Sequence, residues 1–251
     1  MPSSSQESSG RTVVVTGASS GIGATLAERL GRGGWQVAAL GRNGDELARV
    51  AASAGPDCLP LKADVASEDE VVAAFAAVAG AFGQIDALVT CAGISDSTPF
   101  LDIDAELFSR ILSVNTVGTF LCMREAVKIM RDGGRICTVS SVAGLRGGGV
   151  FGTAAYSASK AGIVALTKTA ARTLAERRIT ANCVVPGSTQ TPMLEPFWVD
   201  EAQRNRVTGM IPLGRPGLPQ EIASAIEWVL SPEAAFMTGS TIVIDGGLTM
   251  L

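Results

Sequence analysis

The chain has 251 residues, 47% of them hydrophobic and 18% charged, which excludes a disordered polymer and suffices for a large core. Its formal net charge is −4 and no basic run exceeds Arg177-Arg178, so neither nucleic acid nor an anionic membrane surface is an expected partner. There is no histidine and a single tyrosine, which removes Ser-His-Asp and Cys-His catalysis and any histidine-ligated metal.

Cys58, Cys91, Cys122, Cys137 and Cys183 are odd in number and widely spaced, with no CxxC pair. Neither a disulfide framework nor a zinc site fits that pattern, and a reduced, cytoplasmic chain is expected. The longest apolar run, 71–82, falls short of the roughly 20 residues a membrane span needs. Residues 1–10 are serine-rich and read as a disordered tail, followed by one domain over 11–251.

In chain order, strands are expected at 12–16, 36–40, 57–61, 87–90, 135–140, 180–185 and 241–244. Helical patterns fall between them at 22–31, 45–54, 68–82, 105–130, 154–177 and 220–230. Several strand runs, such as Val13-Val14-Val15, are apolar without alternation, as in strands buried on both faces of a parallel sheet. Ser67 with Glu70 has capping-box spacing, and Pro219 precedes an acidic first turn. The alternation predicts an α/β chain with a doubly wound parallel sheet of about seven strands and helices on both faces. By itself, alternation leaves flavodoxin-like and barrel arrangements open.

The first strand runs directly into Gly17-Ala-Ser-Ser-Gly21-Ile-Gly23 and then a helix. Glycines allow a tight turn and close backbone approach to a pyrophosphate, and a helix N-terminus offers free N–H groups and the positive end of a dipole. The spacing is Gly-x-x-x-Gly-x-Gly, and its place after the first strand is what a dinucleotide site requires. The second strand ends in Gly41-Arg42-Asn43, with no carboxylate before Asp45. A guanidinium pairs with a ribose 2′-phosphate where a carboxylate would repel it, so NADP(H) is favoured over NAD(H). Asp64-Val65, after the third strand, has two readings: contact with an adenine edge, or a turn cap.

Tyr156 and Lys160 lie four apart in a helical pattern, on one face. A free phenol titrates at about 10, too high for efficient proton exchange, and a nearby ammonium is expected to lower it. Ser141, past the end of the fifth expected strand, is placed to hydrogen-bond a substrate carbonyl; its neighbour Ser140 is the substitute candidate. Asn115, a poor helix-interior residue, marks either a kink with an ordered water or a helix boundary.

Together these stretches resemble the classical short-chain dehydrogenase/reductase family, and most of all its 3-oxoacyl-[acyl-carrier-protein] reductases. The resemblance rests on TGASSGIG (16–23), DV (64–65), CAG (91–93), Asn115, SSVAG (140–144), YSASK (156–160), PGSTQTPM (186–193) and VIDGG (243–247). It implies a single-domain Rossmann-like fold and hydride transfer between a nicotinamide and a carbonyl or secondary alcohol. By the same resemblance Tyr156 is the acid/base, Lys160 holds the nicotinamide ribose and tunes Tyr156, Ser141 orients the carbonyl, and Asn115 supports a water. Cofactor contacts are implied for Gly17, Ser19, Ser20, Gly21, Ile22, Gly23, Arg42, Asp64, Val65, Cys91, Ala92 and Gly93. Tyr156, Lys160, Pro186, Gly187, Thr189 and Thr191 complete that set.

Two departures stand out. Cys91 replaces the family's asparagine, leaving a link between strands to water. Ser141 lies fifteen residues before Tyr156, with the extra length in the glycine-rich segment 147–152. The segment 188–210, with Met193, Leu194, Phe197, Trp198 and Met210, reads as a lid over an apolar ligand or as packing. Lys128, Arg131 and Arg177 read as attractors of an acidic carrier protein or as ordinary surface charge. The resemblance also implies a homotetramer or dimer, for which the Ala, Thr and Val content of 105–130 and 154–177 permits close helix packing. The alternatives are an NAD-dependent alcohol or dihydrodiol dehydrogenase of the same family, and a non-catalytic NADP-binding regulator on the same fold.

Overall fold

The computed structural model describes residues 10–148, 153–195 and 200–250. The tail through residue 9, the centre of the glycine-rich segment (149–152), and Phe197 and Trp198 of the expected lid lie outside the described residues. The elements begin with β1 (Thr12–Thr16), α1 (Gly21–Arg32), β2 (Gln36–Gly41), α2 (Gly44–Ala54), β3 (Cys58–Lys62), α3 (Glu68–Phe82) and β4 (Ile85–Thr90). Then come α4 (Ala105–Leu112), a π-helical segment (Ser113–Val117), α5 (Gly118–Ile129), β5 (Met130–Val139), α6 (Val142–Arg146) and α7 (Ala154–Thr173). β6 (Thr180–Pro186), α8 (Glu201–Gly209), α9 (Pro219–Leu230) and β7 (Thr241–Ile244) follow.

The strands form one parallel sheet in the order β3-β2-β1-β4-β5-β6-β7. Both faces are covered, which explains the unbroken apolar runs. Val13 and Val15 enter the core with α1 and α9, whereas Val14 enters the opposite core with α3 and α5. All three are fully buried, and full burial of an aliphatic side chain contributes about 1.5–3 kcal/mol. The order reverses between β1 and β4, which opens a crevice at the carboxyl ends of the strands, where doubly wound sheets bind ligands.

Local capping sets the helix starts. Asn43 Oδ1 accepts from the N–H groups of Asp45 and Glu46 at the start of α2. Ser67 Oγ accepts from Glu70 N–H at 3.4 Å, but only half of the expected capping box forms. Glu70 Oε2 instead accepts the Asp64 N–H at 2.9 Å, tying α3 to the turn after β3.

The structure departs from the sequence reading in four places. The helix expected over 105–130 is interrupted by the π segment around Asn115. The helix expected through residue 177 ends at Thr173, and Ala175–Arg177 forms a separate 3-10 turn. β5 starts at Met130, because Arg177 clamps the chain there: its Nη1 donates to Val127 O at 2.9 Å and its Nε to Asp132 at 2.9 Å. Two helices went unread: α6 is one turn long, and α8 buries only Val207, so it has no apolar stripe to read.

Candidate active site

The crevice at the strand ends is walled by the turn after β1, the ends of β2 to β6, and the first turn of α7. Gly17 takes φ +67°, and a Cβ there would stand 2.6 Å from Ala92 N. At Gly23 a Cβ would collide with Gly17 O. Only glycine permits this turn to fold against the end of β4. At the start of α1 the Ser20 side chain makes no capping hydrogen bond and the first turn carries no carboxylate. α2, α3 and α4 have both. The turn and the open positive end of α1 fit a dinucleotide pyrophosphate.

Ser19, Gly21, Ile22, Asp64, Val65, Ala92, Gly93, Pro186, Gly187, Thr189 and Thr191 line the same crevice, as do Arg42 and Cys91. Asp64 Oδ1 caps its own turn by accepting the Ala66 N–H at 3.0 Å, and the residue also lines the crevice. Hydrogen bonds still tie the end of β4 to β1: Thr16 O accepts the Cys91 N–H, and Thr16 Oγ1 the Ala92 N–H, each at 3.2 Å. Burial pushes the Cys91 thiol up to about 12, with Lys160 pulling weakly against it. That leaves the thiol protonated and inert at neutral pH.

Ser141, Tyr156 and Lys160 meet at one end of the crevice. Ser141 caps α6, accepting the Ala143 N–H at 3.2 Å. Tyr156 sits in the first turn of α7, and Lys160 one turn further on. Ser140 is spent elsewhere: its hydroxyl donates to Lys160 O at 2.7 Å. Burial pushes the Tyr156 phenol above its ordinary value, and the hydrogen bond with Ser141 pulls it back. Burial also brings Lys160 down to about 8. The expected lowering of the phenol by the ammonium is therefore corrected. Lys160 Nζ donates to Val139 O at 3.0 Å and lies 5.8 Å from the centre of the Tyr156 ring, and desolvation of the phenol outweighs it.

Asn115 lies behind the wall, fully buried, rather than on it. Its Nδ2 donates to Ile94 O and Ser159 Oγ, both at 2.9 Å, and its Oδ1 accepts the Ile94 N–H at 2.8 Å. The sequence reading missed Leu248, Arg146 and the Ile94-Ser95 pair on the wall. Ile94 and Ser95 directly follow the CAG of 91–93, the signal that marked them. Lys128, Arg131 and Arg177 are each paired, with Glu125, Asp86 and Asp132, which favours the ordinary surface-charge reading.

A glycine turn after the first strand of a doubly wound sheet, facing a half-buried tyrosine and a buried lysine one helical turn apart, defines a dinucleotide-dependent oxidoreductase architecture. A family model described as enoyl-(acyl carrier protein) reductase matches residues 17–249. The 3beta-hydroxysteroid dehydrogenase 1 of Eggerthella lenta is 37% identical over 96% of this chain and 94% of its own. The 3-oxoacyl-[acyl-carrier-protein] reductase of Synechocystis sp. is 36% identical over 96% of this chain and 97% of its own. A crystal structure of a short-chain dehydrogenase/reductase (glucose/ribitol dehydrogenase) from Brucella melitensis superposes with a TM-score of 0.92 at 34% identity, covering 97% of this chain and 98% of that one. The chain belongs to the short-chain dehydrogenase/reductase family and is an oxidoreductase of alcohol and carbonyl groups that uses a nicotinamide cofactor. Among the described residues, no helix is long and apolar enough to cross a membrane.

Proposed function

We propose that the chain is an NADP(H)-dependent ketone reductase, working as one domain in the cytoplasm, with Tyr156 as the acid/base. The observation that carries this is the convergence of Ser141, Tyr156 and Lys160 on one end of the crevice, with Arg42 at the other. When bound, the cofactor supplies the hydride. The Tyr156 hydroxyl gives its proton to the oxygen that becomes the alcohol, and the Ser141 hydroxyl orients the same oxygen. Lys160, fixed by Val139 O, has donors left for the ribose hydroxyls. Asn115 holds the Ile94 loop that frames the pocket.

The substrate is an apolar or amphiphilic ketone, such as a 3-oxoacyl thioester. Met193, Leu194 and Leu248 on the wall support this, and relatives named for steroid and 3-oxoacyl substrates are compatible with it. A homotetramer or dimer is supported by Val117 and Phe120, which stand 46% and 45% exposed on the π segment and α5. The decisive experiment follows NADPH and NADH oxidation over ketones graded in size and charge. Turnover with NADPH ahead of NADH is expected. The absence of turnover on every ketone, with cofactor still bound, would support a regulatory role instead.

A further inference from the structure

Lys62 ends β3, and the parallel register sets it opposite Gly41, the residue before Arg42. Both cations are exposed, and both line one open recess with Asn43, Gly44 and Asp45. Arg42 also lines the main crevice, so the recess is its side branch. It lies three strands from Ser141, about 14 Å at the usual strand spacing. Among the described residues, the side chains of Lys62 and Arg42 make no ion pair and no hydrogen bond.

The remaining charges around the recess are accounted for. Glu46 is paired with Arg49, and Asp64 is engaged by its own turn. Asp45 is the one carboxylate lining the recess, against two cations. Asn43 is spent on the start of α2. Two free cations around a net positive recess suit a dianion held from two sides.

We propose that Lys62 is the second prong of a 2′-phosphate site, gripping NADP(H) together with Arg42; the inference rests on the NADP(H) reading above. Gly41 itself lines the main crevice beside Arg42, and a Cβ there would stand 3.1 Å from Ser19 Oγ. A lysine on an edge strand also deters pairing with another chain, but that role is blind to which dinucleotide is bound.

The test is equilibrium binding of NADPH and NADH to the full chain, read by nicotinamide fluorescence, for the wild type, Lys62→Met and Lys62→Arg. Lys62→Met is expected to weaken NADPH about tenfold and leave NADH within about twofold. Lys62→Arg is expected to keep NADPH binding. With 2′,5′-ADP and 5′-AMP as probes, Lys62→Met should weaken the first alone. A wild type that prefers NADPH, with the same preference in Lys62→Met, overturns the role of Lys62 and leaves the cofactor reading intact. Equal loss of both cofactors shows a structural role and overturns it too. A wild type that prefers NADH overturns both.

Discussion

Lys160 gives its ammonium to the Val139 carbonyl at 3.0 Å, and this anchor, with Gly93 close against both Lys160 and Asn115, fixes the head of the site. A buried cation held by one neutral carbonyl has lost most of its hydration, and its pKa falls to about 8 from an ordinary 10.5. The unfolded chain therefore binds the extra proton across that interval, so this group's contribution to stability rises with pH between about 8 and 10.5. Its full size is ~3 kcal/mol. The Cys91 and Cys122 thiols, raised from 9.0 to about 12, work in the opposite sense: their contribution falls as pH climbs above 9. The comparison must then be between wild type and Lys160→Met in chemical denaturation from pH 7 to 10.5. Lys160→Met should be the more stable protein at pH 7, with an advantage that shrinks as pH rises. A pH-independent difference would show that the ammonium is not desolvated.

Tyr156→Phe removes the one phenol in the chain and keeps its ring in the first turn of α7. Loss of a general acid costs roughly 10²–10⁴ in rate. Turnover should fall by that factor while NADPH affinity, measured by fluorescence titration, stays within about threefold. Near-normal turnover would falsify the role given to Tyr156.

Arg42→Ala tests the cofactor preference from the other side of the recess. The guanidinium is exposed, so its contribution is screened by solvent and salt. NADPH binding should weaken about tenfold at low ionic strength, and less at high salt, with NADH little changed. Isothermal titration at two salt concentrations measures both effects. If NADPH and NADH weaken together, Arg42 supports the fold of the loop rather than reading a phosphate.

The sheet was legible because its inner strands β1, β2, β4 and β6 are buried almost throughout, so their apolar runs announce themselves without help from neighbours. The glycine turn was legible because only glycine tolerates the approach of Gly17 to Ala92, and the Tyr156–Lys160 offset because a helix fixes which side chains share a face. What stayed hidden depends on partners distant in sequence. The π segment is held open by bonds from Asn115 to Ile94 and Ser159, which no local propensity encodes. Lys62 meets Gly41 through strand register alone. The direction of the Tyr156 shift depends on burial, which four residues of spacing do not reveal.

Gly144 sets how closely α6 approaches α7. A Cβ there would stand 2.7 Å from both Ala161 N and Lys160 C, and backbone atoms cannot swing aside as a flexible side chain does. Gly144→Ala should force the two helices apart, costing about 1–3 kcal/mol. The same shift displaces Ser141 from Tyr156, since Ser141 caps α6 and Tyr156 belongs to α7. The expected result is a lower denaturation midpoint together with a drop in turnover that exceeds the change in cofactor affinity. An unchanged midpoint would mean that the α6–α7 contact yields easily.

Asn115→Ala separates holding the wall from taking part in the reaction. The side chain is fully buried and satisfies both the N–H and the C=O of Ile94, besides the Ser159 hydroxyl. Ser159 keeps a second bond to Tyr156 O at 2.7 Å, so its loss is partial. The half-buried Ile94 groups make no other hydrogen bond among the described residues, and a polar group left unpaired away from water costs about 1–3 kcal/mol. Stability should therefore fall by about 1–3 kcal/mol in urea denaturation, less where crevice water takes over the Ile94 groups. Turnover should fall with it, because Ile94 and Ser95 form part of the wall around Tyr156. Asn115→Asp supplies the contrast: it still accepts the Ile94 N–H but sets an oxygen against the Ile94 carbonyl. It should be the less stable of the two variants, since like partial charges are forced together without water between them. If both variants keep the wild-type stability and lose turnover alone, Asn115 acts in the reaction and its hold on the Ile94 loop is incidental.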